Sequence, residues 1–373
     1  LAQRQRIAAS LSLSDALARL LAPLAPLAAE DVAPALGRTL AGPLDAPAWP
    51  PCARAAVDGW AVRAEATDGA GPYSPLPLTP GVAAFAVSAG DPLPAGCDAV
   101  VADEGVEAVA GTLLVVEATA PGAGVEAAGA DWPGGTLLSA GRTLDAAALA
   151  MLAVLGARTL SLVRRPRVRI VLTGDAPADG AAMLSALVAR DGGIADAVRA
   201  PDDPAAIAAA LAGDADLRLG TGGTGTGADD RTVEGLRAAG TVAAHGIGLR
   251  PGGTTAFGTV AGRPVVLLPG RPAAALAAYE MLAGAAVRRL AGQADGRPHP
   301  VVRAALARKV VSSAGDVDVV WVRRERDRAE PVAAGEGAGL LAVARADGFV
   351  VVPAGSEGLP AGAAVDLHLT GWR

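Results

Sequence analysis

Seven consecutive residues, Thr221-Gly222-Gly223-Thr224-Gly225-Thr226-Gly227, carry the clearest chemical signal in the chain. Gly222, Gly223, Gly225 and Gly227 place four glycines within six positions, more than a sharp turn needs. Between a strand and a helix, such a loop turns backbone N–H groups toward an anion, so phosphate or pyrophosphate is the ligand class it suits. Those donors work without lysine. The 32 basic residues are 31 arginines and Lys309, which sits in Arg308-Lys309-Val310 with no glycine-rich turn around it. A P-loop is therefore excluded, and Schiff-base chemistry would have only that one residue to use. Leu268-Pro269-Gly270-Arg271-Pro272 is a second strand-to-helix junction, where Arg271 can offer a phosphate two parallel N–H donors, although a solvated loop arginine fits the same string. Asp175, after Thr173-Gly174, suits Mg²⁺ or a ligand hydroxyl as well as it suits a helix cap. Asp229 and Asp230 fall at a helix start, where negative charge is favourable anyway.

Other counts remove whole classes. Cys52 and Cys97 form no CxxC, and His245, His299 and His368 are far apart, so zinc and iron–sulfur sites have no framework. The formal net charge of −6 argues against a nucleic-acid binder that relies on neutralising phosphates. The uncharged stretch 146–157 is shorter than the roughly 20 residues a bilayer demands, and prolines break the longer one at 69–90. Arg4 and Arg6 are followed by Asp15 without a small-residue cleavage pattern, which does not read as a signal peptide. A soluble, cytoplasmic protein is the expectation, with no membrane and no nucleic-acid partner.

The elements that must position these residues follow from periodicity. Leu11, Leu13, Ala16, Leu17, Leu20 and Leu21 predict an amphipathic helix started by Ser12 or Ser14 and ended by Pro23. Short apolar runs at 81–89, 98–106 and 111–116, separated by Gly, Pro and Asp, predict strands, and 145–155 predicts a helix. From residue 167 strands and helices alternate: strands at 168–173, 194–199, 216–220 and 265–268, helices at 181–190, 203–211, 229–239 and 273–290. Beyond Pro300 the runs 316–323, 340–344, 348–352 and 364–369 predict strands of a small barrel or sandwich. Residues 1–29 with 129–165 are expected as an N-terminal helical and linker domain, 30–128 as a β-rich insertion, 166–298 as a three-layer αβα domain and 299–373 as a C-terminal β domain.

In this order the segments resemble the molybdopterin molybdenumtransferase family, MoeA-type and similar to the E domain of gephyrin, over essentially the whole chain. The family's MDGYA resembles Val57-Asp58-Gly59-Trp60-Ala61, its TGAPLP resembles Ala89-Gly90-Asp91-Pro92-Leu93-Pro94, and GADAVV resembles Gly96-Cys97-Asp98-Ala99-Val100-Val101. GxDxxxG is similar to 129–135, GGVSxG to 222–227, KPGKPxAFG to 250–258, LPGNP to 268–272 and LARADGxxVxP to 343–353. The resemblance implies a multidomain α/β plus β, elongated homodimer whose central three-layer domain binds molybdopterin. It also implies insertion of molybdate into adenylylated molybdopterin with Mg²⁺-assisted release of AMP. Asp58, Asp131 and Asp175 match the family's acidic positions, with Asp58 and Asp175 as the implied metal holders. The glycine loop, Asp229, Arg250, Pro269, Gly270 and Arg271 are the implied pterin-binding residues, with Arg250 in place of the first KPGKP lysine. A molybdopterin adenylyltransferase or a molybdoenzyme is an implied partner. Ala89, Ala176, Gly225 and Gly253 replace the family's Thr, Glu, Ser and second lysine. These replacements carry a second reading, a catalytically impaired paralogue that acts as a pterin-binding carrier or scaffold.

Overall fold

The computed structural model describes residues 7, 10–174, 179–227 and 229–371. They form two compact units, one of residues 43–139 and one of 1–42 with 140–373.

In the larger unit, α1 (Leu13–Leu21) begins where the Ser12 hydroxyl accepts the Asp15 N–H at 3.1 Å, and it buries Ala16 and Leu20. Helix α2 (Ala146–Val154) is capped in the same way by Asp145, which accepts from Ala148. The central sheet starts with β1 (Arg167–Thr173), a run rich in β-branched residues that is covered on both faces. Val168, Ile170 and Leu172 pack with Leu184 and Leu187 of α3 (Asp179–Arg190), while Val171 packs on the other face with residues of two later helices. Next come β2 (Ile194–Ala200), α4 (Pro204–Leu211) with Asp203 as its cap, β3 (Leu217–Thr221) and α5 (Thr232–Ala239). Strands β4 (Thr241–His245), β5 (Ala256–Val260) and β6 (Arg263–Leu268) complete the sheet in the order β2-β1-β3-β6-β5-β4. The first four strands in that order are parallel, and β5 pairs antiparallel with both of its neighbours, β6 and β4. Ile207, Leu211, Val233 and Leu236 of α4 and α5 close one face, and α3 with the final helices closes the other, giving three layers.

The predicted helix 273–290 is interrupted. It runs as α6 (Pro272–Ala278), a π turn (Tyr279–Ala283) and α7 (Gly284–Leu290). The π turn holds the carboxylate of Glu280, 1% exposed, against Arg190 Nη1 at 2.6 Å and His299 Nε2 at 2.9 Å. Burial pushes this carboxyl up, but the hydrogen bonds from His299 and Arg190 outweigh it and hold the group below its ordinary value. A buried carboxylate is tolerable only with such partners.

The last segment is a closed five-stranded barrel. Strands β7 (Val301–Leu306), β8 (Val317–Glu325), β9 (Arg328–Ala333), β10 (Gly348–Val352) and β11 (Ala364–Leu369) pair in the ring β8-β9-β7-β11-β10-β8. Alternation along β8 sends Val320 and Val322 into the barrel core and Val319 and Trp321 into the core shared with the central helices. The run 340–344, predicted as a strand, is instead α8 (Leu340–Val343), a single turn following Gly339 that buries only Val343. Four apolar residues satisfy both patterns, and among the described residues no strand pairs with this one.

In the smaller unit, Gly59–Val62 is the centre of a three-stranded sheet between Ala84–Val87 and Ala99–Ala102. Thr112–Val115 is the centre of another, between Leu76–Leu78 and Val106–Val109. Val62, Leu78, Leu113 and Val115 lie in a core common to the two sheets. Among the described residues no helix is long and apolar enough to cross a membrane.

Candidate functional site

In the larger unit, the glycine loop leaves the carboxyl end of β3 beside the end of β1, the place where open α/β sheets bind ligands. Buried threonines fix its exit. Thr173 Oγ1 donates to the Thr221 carbonyl at 3.2 Å and lies 3.1 Å from Thr232 Oγ1. Thr232 Oγ1 in turn donates to the Gly222 carbonyl at 2.7 Å, and the Thr232 N–H donates to the Gly223 carbonyl at 3.0 Å. Gly222 has φ +102°, and a Cβ there would stand 2.7 Å from Thr173 Oγ1 and 2.9 Å from the Thr173 carbonyl oxygen. No side chain fits this position without moving the end of β1.

The loop's N–H groups divide into used and unused. Gly222 donates weakly to the Leu268 carbonyl at 3.4 Å, and Gly227 donates to Asp230 Oδ2 at 2.7 Å. Asp230 therefore closes the loop rather than capping α5, which begins at Thr232 after Arg231 without a side-chain cap. Gly225 and Thr226 keep N–H groups without a partner among the described residues, at the solvent side of the loop, and these are the donors an anion would meet. Asp229 is exposed beside them.

Two neighbouring segments flank the loop. Thr221 Oγ1 donates to the Pro269 carbonyl at 3.2 Å, and a Cβ on Gly270 would lie 3.2 Å from Gly222 Cα, so the 269–271 junction is packed directly on the loop. Thr224 and Thr254 share a hydroxyl hydrogen bond at 3.0 Å, which ties the loop to the turn that begins at Arg250. Arg271 Nη1 donates to the Glu336 carbonyl at 2.9 Å, and the Gly252 N–H reaches Glu336 Oε1 at 3.3 Å. Arg250 Nε stands 3.3 Å from Asp318 Oδ1, and its Nη1 donates to Ser313 Oγ. Both candidate arginines are thus held by the C-terminal barrel segment. The fold packs Pro269 and Gly270 on the glycine loop and ties to it, through Thr254, the turn that follows Arg250, while Arg271 and Gly252 meet at Glu336.

His245, at the end of β4, was not among the residues expected to take part. Its Nε2 lies 2.9 Å from the Thr224 carbonyl, which accepts only, so Nε2 carries the proton; Nδ1 is buried without a partner among the described residues. Asp175 and Ala176 lie outside the described residues.

Asp58 and Asp131 belong to the smaller unit. Asp58 is exposed, and its Oδ1 accepts the Ala89 N–H at 2.8 Å. Asp131 follows a turn fixed by the Trp49–Trp132 bridge, in which the Trp49 carbonyl accepts from Asp131 at 3.2 Å and from Trp132 at 2.9 Å. An open hollow of ≈ 670 Å³ is lined by residues that include Arg54, Ala56, Gly90, Glu126 and Ala130, two of them sequence neighbours of Ala89 and Asp131. Arg54 Nε donates to Glu126 Oε2 at 2.7 Å, which raises the arginine and lowers the carboxyl relative to their ordinary values. Among the described residues no three His, Cys, Asp or Glu side chains converge as a cation cage.

Three family models match in succession: the MoeA N-terminal region (domains I and II) at residues 11–156, a molybdopterin-binding domain at 151–289, and the MoeA C-terminal region (domain IV) at 303–370. Molybdopterin molybdenumtransferase 2 of Mycobacterium tuberculosis is 32% identical over 71% of this chain and 74% of its own length. A putative molybdopterin biosynthesis protein of Methanocaldococcus jannaschii is 30% identical over 91% of both. The crystal structure of a molybdopterin biosynthesis MoeA protein from Pyrococcus horikoshii superposes with a TM-score of 0.79 at 29% identity, covering 98% of this chain and 100% of that one. With the glycine loop, the flanking junction and the C-terminal barrel in the corresponding order, the chain belongs to the MoeA-type molybdopterin molybdenumtransferase family.

Proposed function

We propose that this protein inserts molybdate into adenylylated molybdopterin with release of AMP. The observation that carries the reading is the glycine loop, whose Gly225 and Thr226 N–H groups have no partner among the described residues and which is packed against the junction that leads to Arg271 and tied through Thr224 to the turn that follows Arg250. It is a site built for anionic groups on a ligand, in a family whose relatives are named molybdopterin molybdenumtransferases. Backbone donors at a helix start bind phosphate without lysine, and a guanidinium supplies the charge.

The roles divide by chemistry. The loop and Arg250 grip the pterin's phosphate side, and Arg271 at the start of α6 supplies a second cation. Gly222 and the threonines behind it keep the donors from shifting as charge builds on the phosphates, which is how fixed dipoles stabilise a transition state. Release of AMP breaks the anhydride bond between two phosphates, so neutralising their charge is the main demand.

Mg²⁺ typically takes one or two carboxylates and completes its shell with water and substrate phosphate, so the lack of a three-acid cage does not disqualify it. Asp58, exposed and oriented by the Ala89 N–H, fits such a ligand. Asp131, with its backbone fixed by the tryptophan bridge, is assigned to substrate handling. A bound ion would offset phosphate charge. Asp58 and Asp175 are each assigned as metal holders on the family pattern alone. The domain boundaries given above, a homodimeric state, a cytoplasmic location and contact with an adenylyltransferase or molybdoenzyme belong to the same proposal.

The carrier reading is favoured by one local fact. The Gly253 carbonyl serves Ile247 at 3.1 Å and its position offers no side chain, so the cation that the family places there is missing. Purified protein with adenylylated molybdopterin, Mg²⁺ and molybdate distinguishes the two readings. Molybdate-dependent AMP release is the expected result. Pterin binding without AMP release, under conditions in which a MoeA relative turns over, would replace the enzyme with the carrier.

A further inference from the structure

Arg250 is the one candidate site cation whose side chain is gripped by a nearly fully buried carboxylate. Asp318 is 2% exposed, lies at the start of β8, and receives the Ser312 hydroxyl on Oδ2. Its Oδ1 has no hydrogen-bond partner of good geometry among the described residues, and the nearest cation is Arg250 Nε at 3.3 Å. An acceptor oxygen buried without a hydrogen bond is costly, and a guanidinium held beside it offsets part of that cost. Backbone pairing fixes the meeting. Leu249 and Arg250 run parallel to β8 in the register Leu249↔Val317 and Arg250↔Asp318. Ser313 takes Nη1, and Nη2 is left without a partner among the described residues.

We propose that Asp318 is a positioning residue for Arg250. Its charge draws the Nε edge of the guanidinium toward β8, Ser313 takes Nη1 in a directional hydrogen bond, and Nη2 is kept for the phosphate of the incoming ligand. The barrel thereby sets the geometry of an anion contact that is carried by the central domain's turn. Lysine, which places a single charge on a flexible stem, could not be held in this way, whereas a planar fork can be anchored on one edge and bind on another. The inference rests on the pterin-phosphate reading of the site, and the test separates the two.

The variants are Asp318→Asn, which keeps shape and removes charge, Asp318→Glu, Ser313→Ala at an exposed position, and Arg250→Leu. In the AMP-release assay, Asp318→Asn is expected to raise KM for adenylylated molybdopterin at least about tenfold with kcat changed less than about threefold. Asp318→Glu should recover part of that loss. Ser313→Ala should raise KM about two- to threefold, and the Asp318→Asn/Arg250→Leu double variant should be no worse than Arg250→Leu alone. An unchanged KM in both Asp318→Asn and Ser313→Ala, or additive losses in the double variant, overturns the proposal. If the wild type releases no AMP, the catalytic reading fails, and the positioning claim is read from pyrophosphate titration instead. A tenfold weaker affinity in Asp318→Asn then upholds it, and equal affinity, or no pyrophosphate binding by the wild type, overturns it. Should Asp318→Asn not fold, Ser313→Ala and the Asp318→Glu variant carry the same comparison.

Discussion

The glycine loop of the larger unit and the acidic turns of the smaller one solve opposite problems. The loop offers hydrogen-bond donors whose positions are fixed by atoms behind them: Thr173, Thr221 and Thr232 are each at most 4% exposed, and together they hold the carbonyls of Thr221, Gly222 and Pro269. Asp58 is a charged acceptor on an exposed turn, steadied by one hydrogen bond from Ala89. In the proposed roles, the donors of the first are backbone atoms held from behind. The acceptor of the second sits at the end of a side chain in water, where it can adjust. The difference predicts opposite mutational behaviour: changes behind the loop should cost stability and binding together, and changes at the acids should cost chemistry while the fold survives.

The largest effect should come from Gly222→Val. A positive φ and a side chain driven against Thr173 together cost about 3–4 kcal/mol, read as a shift of the chemical denaturation midpoint, with pterin binding lost. A variant of near wild-type stability that still binds would break the claim of a rigid loop. Thr232→Val keeps the shape but strands the Gly222 carbonyl, and should cost about 1–2 kcal/mol with a several-fold weaker pterin affinity. Binding lost at full stability would mean that Thr232 touches the ligand itself.

A pH experiment sharpens the same contrast for the barrel. His368 stacks on Phe349 with ring centroids 5.0 Å apart, and burial, then the charge of Arg297, pushes the ring down from 6.5 to about 4. Between those values the unfolded chain binds the proton and the folded chain does not, so stability falls as pH drops from about 6.5 toward 4. His368→Phe should flatten that part of the thermal stability profile, and an unchanged slope would assign it to other groups. The smallest effect is expected from Arg54→Met, which removes a solvent-screened pair with Glu126 and should leave the denaturation midpoint almost unchanged. A marked loss would show that this turn of the smaller unit is held by charge as the glycine loop is held by buried hydroxyls.

Much of the central sheet was legible because its strands are continuous apolar runs and its helices carry caps next to their periodic faces, as at Asp203 before α4. Strands β4 and β5 were not, because Thr241–His245 and Ala256–Val260 are short and rich in small residues and are defined by their pairing with each other and with β6. The loop itself announced its chemistry through its glycines. Its supports did not, since Thr173 and Thr232 are 59 residues apart and meet only after the sheet forms. His245 looked like an isolated histidine until its Nε2 was placed against the Thr224 carbonyl. Asp318 carries no local signal at all, because what distinguishes it is burial and the arginine it faces, and the exposed Glu336 is marked only by the Arg271 and Gly252 donors that reach it.

The division of labour between donors and acids is tested most directly by measuring binding and turnover on one variant. For Asp58→Asn, equilibrium titration with adenylylated molybdopterin and single-turnover AMP release are followed in the same preparation. The account predicts a Kd within about threefold of wild type and AMP release slowed by about 10²–10³-fold, the scale of losing one electrostatic group from a reacting centre. A Kd weakened as much as the rate, or a rate equal to wild type, would contradict it.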